Sequence, residues 1–275
     1  MNHHALQRLL PQARQVAHEA GRLIMGIYGD DFEVLVKADR SPITAADQRA
    51  NALLQDRLAR LGMALPVISE ETLPPSFQQR RLWRHYWLVD PLDGTREFVA
   101  RSDHFAVNIA LVQDHRPVLG VVHAPALGQT WFGGPDLGAF RQPTGGEPLA
   151  IRAAPRVHDP MRVVLGRPDP GPRTEATLAQ LPEHSTHIWG ASLKFCLIAE
   201  GSADLFPRYG AISEWDMAAP QAILEAAGGH LTDMARMAPV RYNTRDNLTT
   251  SDVIAFADVN IDWRQYLAAT TPEID

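Results

Sequence analysis

Tyr86-Trp87-Leu88-Val89 runs without interruption into Asp90-Pro91-Leu92-Asp93-Gly94-Thr95. An apolar run bounded by a Pro/Gly turn reads as a buried β-strand that ends there. Any fold for this chain must therefore finish a buried strand by presenting two carboxylates and a hydroxyl. Pro91 fixes one backbone angle, and Gly94 permits a conformation that other residues resist. No core requires two neighbouring acids, because their like charges repel unless something positive lies between them. Such oxygen clusters bind hard divalent cations, and Mg²⁺ in particular shares its shell with phosphate. The bland alternative is an Asp/Gly turn with solvated acids. A second acid pair upstream, Glu70-Glu71, and a further acid downstream, Asp216, argue against it.

The rest of the composition narrows the class. With 275 residues, the chain can bury a sizeable core as one large domain or two joined ones. A net charge of −6 argues against a general nucleic-acid binder. An acidic protein can still take an acidic substrate if metal ions invert the local field. Cys196 is the single cysteine, so no intramolecular disulfide framework exists, which fits a reducing cytoplasm. The N-terminus lacks a secretory apolar core, and no stretch approaches the length of a membrane-spanning helix. His3 and His4 read as frayed terminal residues rather than metal ligands.

Leu6, Leu9, Leu10, Ala13, Val16, Ala17, Ala20, Leu23, Ile24 and Ile27 recur at helical spacing. Pro11 fits best in a first turn, so the regular helix is expected to begin there. Phe32 to Val36 alternates like a short strand, and residues 38–42 read as a loop. A second helix is expected from about Thr44 to Leu61, and Pro66–Ser69 reads as a compact buried strand. Residues 106–140 read as an antiparallel meander, with Gly133, Gly134 and Gly138 at hairpin turns. A polar, proline-containing stretch from about Thr144 to Pro160 marks a junction. Beyond it, strand candidates (163–165, 203–206) alternate with helix candidates (174–181, 192–200, 216–227).

Glu70, Asp90 with Asp93, and Asp216 each stand at a boundary between regular elements. Loops at strand ends can bring such distant acids together on a rigid scaffold. Metals about 4 Å apart held there could grip both the attacking and the departing oxygen of a phosphate ester.

The set Ser69-Glu70-Glu71, Asp90-Pro91-Leu92-Asp93-Gly94-Thr95 and Trp215-Asp216-Met217-Ala218-Ala219 resembles the inositol monophosphatase superfamily in order and spacing, across nearly the whole chain. Ser41-Pro42-Ile43-Thr44-Ala45-Ala46-Asp47, Arg96-Glu97-Phe98, residues 192–197 and residues 203–208 are similar to its branch of 3'(2'),5'-bisphosphate nucleotidases. The resemblance implies an α/β fold layered as an αβαβα sandwich of the inositol monophosphatase/fructose bisphosphatase type. It implies a metal-binding subdomain over residues 1–155 and a second subdomain over 156–275 that completes the substrate site.

The resemblance also implies roles. Glu70 would bind the first metal and help hold the nucleophilic water. Asp90 would bridge metals, Leu92 would offer its carbonyl, and Asp93 and Asp216 would hold the second metal. The cofactor would be Mg²⁺, two or more ions, with lithium sensitivity. Thr95 would contact the water while Asp47 accepts its hydroxyl hydrogen. Gly94 and Thr95 backbone groups would cradle phosphate, in a substrate site that also includes Glu70, Leu92, Asp93, Ser192 and Asp216. A hairpin near Lys37 and Asp39 would close over the site or recruit another metal. Lys194 and Arg208 are candidates for a phosphate that is retained, because metals hold only the one being cleaved; an exposed helix lysine and a surface ion pair are their bland alternatives.

Tyr209, Cys196, His104, His123 and Trp215 read as packed residues, and Glu71, Asp204 and Glu214 as weaker ligand candidates. Pro220 departs from the family pattern and is expected to remove an early donor from the helix carrying Asp216.

The expected partner is a small phosphorylated nucleotide, not a nucleic-acid polymer, and no integral membrane segment is expected. The expected reaction is Mg²⁺-dependent hydrolysis of adenosine 3',5'-bisphosphate to AMP. Three alternatives stand beside it: an inositol or broad sugar-phosphate phosphatase, an aspartyl-phosphate enzyme, and a noncatalytic metal-dependent nucleotide-binding module. The aspartyl-phosphate signature has one residue between its acids; here there are two, Pro91 and Leu92.

Overall fold

The structure is a computed structural model that describes residues 1–37 and 42–268. Of the expected loop over residues 38–42, residues 38–41, with Asp39 and Ser41, lie outside the described residues, and Pro42 opens a short strand instead.

Helix α1 spans His3–Tyr28, earlier than the position of Pro11 suggests. Asn2 supplies the cap, its side chain accepting from the Ala5 N–H at 3.0 Å. Pro11 then lies inside the helix on its exposed side, where water can satisfy the carbonyl that its missing N–H leaves free. Strands β1 (Val34–Val36) and β2 (Pro42–Thr44) pair antiparallel and lead into α2 (Ala45–Ala59).

A seven-stranded sheet follows, made of β3 (Val67–Ser69), β4 (His85–Asp93), β5 (Ala106–Gln113), β6 (Arg116–Ala124), β7 (Gln129–Gly134), β8 (Gly138–Pro143) and β9 (Leu149–Ala150). β3 and β4 run parallel, and each later neighbour is antiparallel, as a meander should be. Two short helices, α3 (Phe77–Arg80) and α4 (Thr95–Val99), flank β4. Gly133 and Gly134 lie within β7 rather than in the turn, which occupies residues 135–137.

The second sheet has the order β11 (His184–Ile188), β10 (Met161–Leu165), β12 (Leu205–Arg208), β17 (Val253–Phe256), β14 (His230–Asp233), β15 (Ala238–Pro239). β13 (Ile212–Ser213) and β16 (Thr249–Thr250) form a separate pair. Helices α5 (Pro172–Leu178), α6 (Leu193–Ala199) and α7 (Glu214–Ala226) complete this half.

The strand alternation explains the layering. Trp87 and Val89 on β4, with Val107, Ile109 and Leu111 on β5, face the apolar stripe of α1 and α2. Tyr86, Leu88, Ala106, Ala110 and Val112 point the other way, onto a core shared with α6, α7 and one face of the second sheet. The far face of that sheet packs Val163, Leu205 and Ile254 against Trp263 and the end of α5. The order is helices, sheet, helices, sheet, helix, so strands buried on both faces read as unbroken apolar runs. Between the middle layers the approach is close: a Cβ at Gly120 on β6 would collide with the Ala219 carbonyl of α7.

α7 begins at Glu214, so Pro220 falls inside the helix rather than in its first turn. Its missing N–H is the one that would have bonded the Asp216 carbonyl.

Candidate active site

β4 carries the site. Its pairing with β5 shifts register between Asp90 and Asp93, so the strand bends where the acids emerge. Asp90 is buried, and its Oδ1 accepts from the Leu92 N–H at 2.9 Å. Glu70 leaves the end of parallel β3, its N–H donating to the Val89 carbonyl at 3.3 Å. Asp216 sits in the first turn of α7. Carboxylate oxygens of Glu70, Asp90 and Asp216, acids from three separate elements, lie within 4.8 Å of one another.

Burial first, and then repulsion from Glu70, Asp93 and Asp216, pushes the Asp90 carboxyl well above its ordinary range. Asp216 is pushed up by withdrawal from water and by repulsion from Asp93 and Glu70. A cation relieves both costs. Lys37 brings a positive charge only to the neighbouring glutamates: burial alone would lower its ammonium, yet bonds to Glu70 (2.8 Å) and Glu71 (2.5 Å) leave it raised. An all-oxygen donor set under this strain fits a hard divalent cation.

The next turn supplies a hydroxyl with an oriented acceptor. Gly94 caps α4 at φ +89°, where a Cβ would press on the His104 carbonyl and Ala191. Thr95 Oγ1 lies 3.0 Å from Asp47 Oδ1 and 3.1 Å from the Leu92 carbonyl, and donates its proton to one of them. Asp47 is buried, and its Oδ2 accepts from the Thr44 N–H and hydroxyl, each at 2.7 Å. One carboxylate therefore caps α2 and orients Thr95. Burial raises Asp47 above the usual range, although these hydrogen bonds oppose the shift.

A cleft of about 380 Å³ opens over the acids. Glu70, Asp90, Leu92, Asp93, Gly94, Thr95, Ser192, Lys194, Arg208 and Asp216 all line it, and Asp47 stands behind Thr95. Lys194 is buried, not an exposed helix residue; its ammonium donates to the Ala191 carbonyl at 2.5 Å and the Trp189 carbonyl at 3.3 Å. Arg208 donates to the Tyr209 carbonyl at 2.5 Å and the Ala211 carbonyl at 3.1 Å. Burial lowers both cations from their ordinary values. Lys194, Phe206 and Arg208 also wall a second cavity of about 200 Å³, which Arg167 and Tyr209 help to line.

The residues read as packed are packed: Cys196 is buried, His104 stacks on Trp189, and Tyr209 bonds Thr177 through its hydroxyl. Glu214 is buried and raised to about 7 by that burial, and both its oxygens accept from the Asn243 N–H. Arg80, also buried, bonds Asn243 and the Asp246 carbonyl, bracing the start of α7 from behind. Sequence reasoning missed Arg80, Asn243 and Asn108. Asn108 alone left a sign, as a polar residue in the middle of an apolar strand.

A family profile described as the inositol monophosphatase family matches residues 5–272. The chain belongs to the inositol monophosphatase family. The 3'(2'),5'-bisphosphate nucleotidase CysQ of Shigella flexneri is 42% identical over 243 residues, covering 87% of this chain and 96% of the relative. The Haemophilus influenzae protein of the same name is 33% identical, covering 94% and 96%. Among solved structures, CysQ from Bacteroides thetaiotaomicron superposes with a TM-score of 0.78 at 35% identity, covering 88% of this chain and 94% of its own. Inositol monophosphatase family enzymes are metal-dependent, and this member carries a carboxylate cluster that suits a cation. No helix among its described residues is long and apolar enough to cross a membrane.

Proposed function

We propose that this protein is a Mg²⁺-dependent 3'(2'),5'-bisphosphate nucleotidase that hydrolyses adenosine 3',5'-bisphosphate to AMP and phosphate. The observation that carries the reading is the convergence of Glu70, Asp90 and Asp216 beside the Thr95–Asp47 pair. It is supported by 42% identity to a nucleotidase over most of both chains.

Glu70, Asp90, Asp93, Asp216 and the Leu92 carbonyl would hold two or more Mg²⁺ ions. Bound there, the ions would lower the pKa of a water and neutralise charge on the attacked phosphate. The chain's own groups manage the proton. Thr95 Oγ1 accepts a hydrogen from the water while donating its own to Asp47 Oδ1, so the proton leaves along that bond. The upward shift of Asp47 favours its receiving the proton. Backbone N–H groups of Gly94 and Thr95, at the positive end of the turn, take phosphate oxygens. Lys194 and Arg208 turn their remaining N–H groups to the retained phosphate. The substrate is a small phosphorylated nucleotide, the setting is the cytoplasm, and the chain divides functionally near residue 155.

Phosphate release should be measured with adenosine 3',5'-bisphosphate and inositol 1-phosphate, with Mg²⁺ or a chelator. Preference for the nucleotide and loss of turnover on chelation are expected. Equal kcat/KM on the two substrates would favour a broad phosphatase. Tight nucleotide binding without phosphate release would make the protein a binding module.

A further inference from the structure

Asn108 is fully buried on β5, directly opposite Asp90 in the strand pairing. Its neighbours Val107 and Ile109 are ordinary core residues. A buried amide is costly unless its polar atoms are bonded, so packing alone does not call for one here. Its Nδ2 donates to Asp93 Oδ2 at 3.1 Å, and its Oδ1 accepts the Ser192 hydroxyl at 2.8 Å. The Ser192 N–H donates to the same Asp93 Oδ2 at 2.6 Å. The three residues close a ring of hydrogen bonds. A carboxylate only accepts, so the amide NH₂ faces Asp93 and the amide oxygen is left for the serine.

Two consequences follow from this ring. Asn108 Nδ2 and the Ser192 N–H both donate to Asp93 Oδ2, and neither of these bonds engages Oδ1. The ring also ties the first sheet, through β5, to the start of α6, which packs between the sheets.

We propose that Asn108, held by Ser192, is a positioning residue for Asp93. It locks the rotation of that carboxylate so that Oδ1 alone faces the cation and Oδ2 is withheld. The assignment rests on the metal-binding reading given above. Residues that orient a ligand in this way change metal affinity by about 10- to 100-fold when removed.

The test is calorimetric titration of the purified full-length protein with Mg²⁺, and separately Mn²⁺, without substrate. Asn108→Ala should weaken binding of at least one ion by about tenfold or more. Ser192→Ala keeps the backbone donor to Asp93 but frees the asparagine, and should weaken the same ion by a smaller factor. Melting temperature in chelator is measured alongside. If both variants lose thermal stability yet bind ions as the unsubstituted protein does, Asn108 is only a packing residue and the proposal is overturned. If Asn108→Ala does not fold, unchanged affinity in Ser192→Ala overturns it as well. If the unsubstituted protein binds neither ion and turns over in chelator, the metal reading itself fails and takes this assignment with it.

Discussion

Arg208 occupies a double position. Its guanidinium braces the backbone at Tyr209 and Ala211 and at the same time forms the wall between the main cleft and its smaller neighbour. A merely structural arginine, once removed, would harm every substrate alike. One that grips the retained phosphate would harm only substrates that carry it. Arg208→Ala should therefore raise KM for adenosine 3',5'-bisphosphate by about tenfold, or about 1.4 kcal/mol, and change KM for adenosine 3'-monophosphate much less. Steady-state kinetics on the two nucleotides decides it, and parallel increases would remove the phosphate contact. At this scale the sequence was most informative about acids. Glu70 follows an apolar strand, Asp90 and Asp93 close another, and Asp216 lies in the first turn of a helix, so their placement is visible in local pattern. Asn108 is not legible in the same way, because its partners stand 15 and 84 positions away and only folding makes them neighbours.

Among the elements, α2 shows how a local rule acquires a distant use. Thr44 and Asp47 form a capping box at its start, and the free oxygen of that same Asp47 faces Thr95. Thr44→Val removes one of the two donors on Asp47 Oδ2 and costs about 1 kcal/mol as a lost cap. The carboxylate then has freedom to turn away from Thr95. A fall in kcat at nearly constant KM is expected, with a melting temperature lowered by only a few degrees; unchanged kcat would separate the cap from the hydroxyl. The meander was readable because its strands alternate around polar turns. Other elements escaped for physical reasons. His184–Ile188 is an edge strand of mostly polar residues that gains its identity only by pairing with β10. Val253–Phe256 is only four residues long. The start of α1 was misplaced because a proline suits a first turn, whereas a real cap upstream and an exposed position let Pro11 sit inside.

For the whole molecule, the packing of acids between two sheets sets how stability responds to pH. Asp90 and Asp216 are raised in the folded state, so the native protein keeps protons that an unfolded chain gives up above about pH 4. Without metal, stability is then lost as pH climbs from there through the raised values. A divalent ion replaces those protons and reverses the penalty. Thermal unfolding with saturating Mg²⁺ and with chelator should show a larger gain from the ion at about pH 8 than at about pH 5. At hundredfold excess over Kd, binding adds about 2.7 kcal/mol; a gain that does not grow with pH would contradict the cluster's role as a cation site.

The contact of Gly120 with the Ala219 carbonyl bears on how such a centre endures mutation. The strand layer that delivers Asp90 and the helix that delivers Asp216 meet there main chain against main chain. At that point the gap between layers is gauged by peptide units, whose dimensions never vary, rather than by side chains. Any side chain at position 120 would push that helix, and Asp216 with it, off the sheet and so widen the opening offered to an ion.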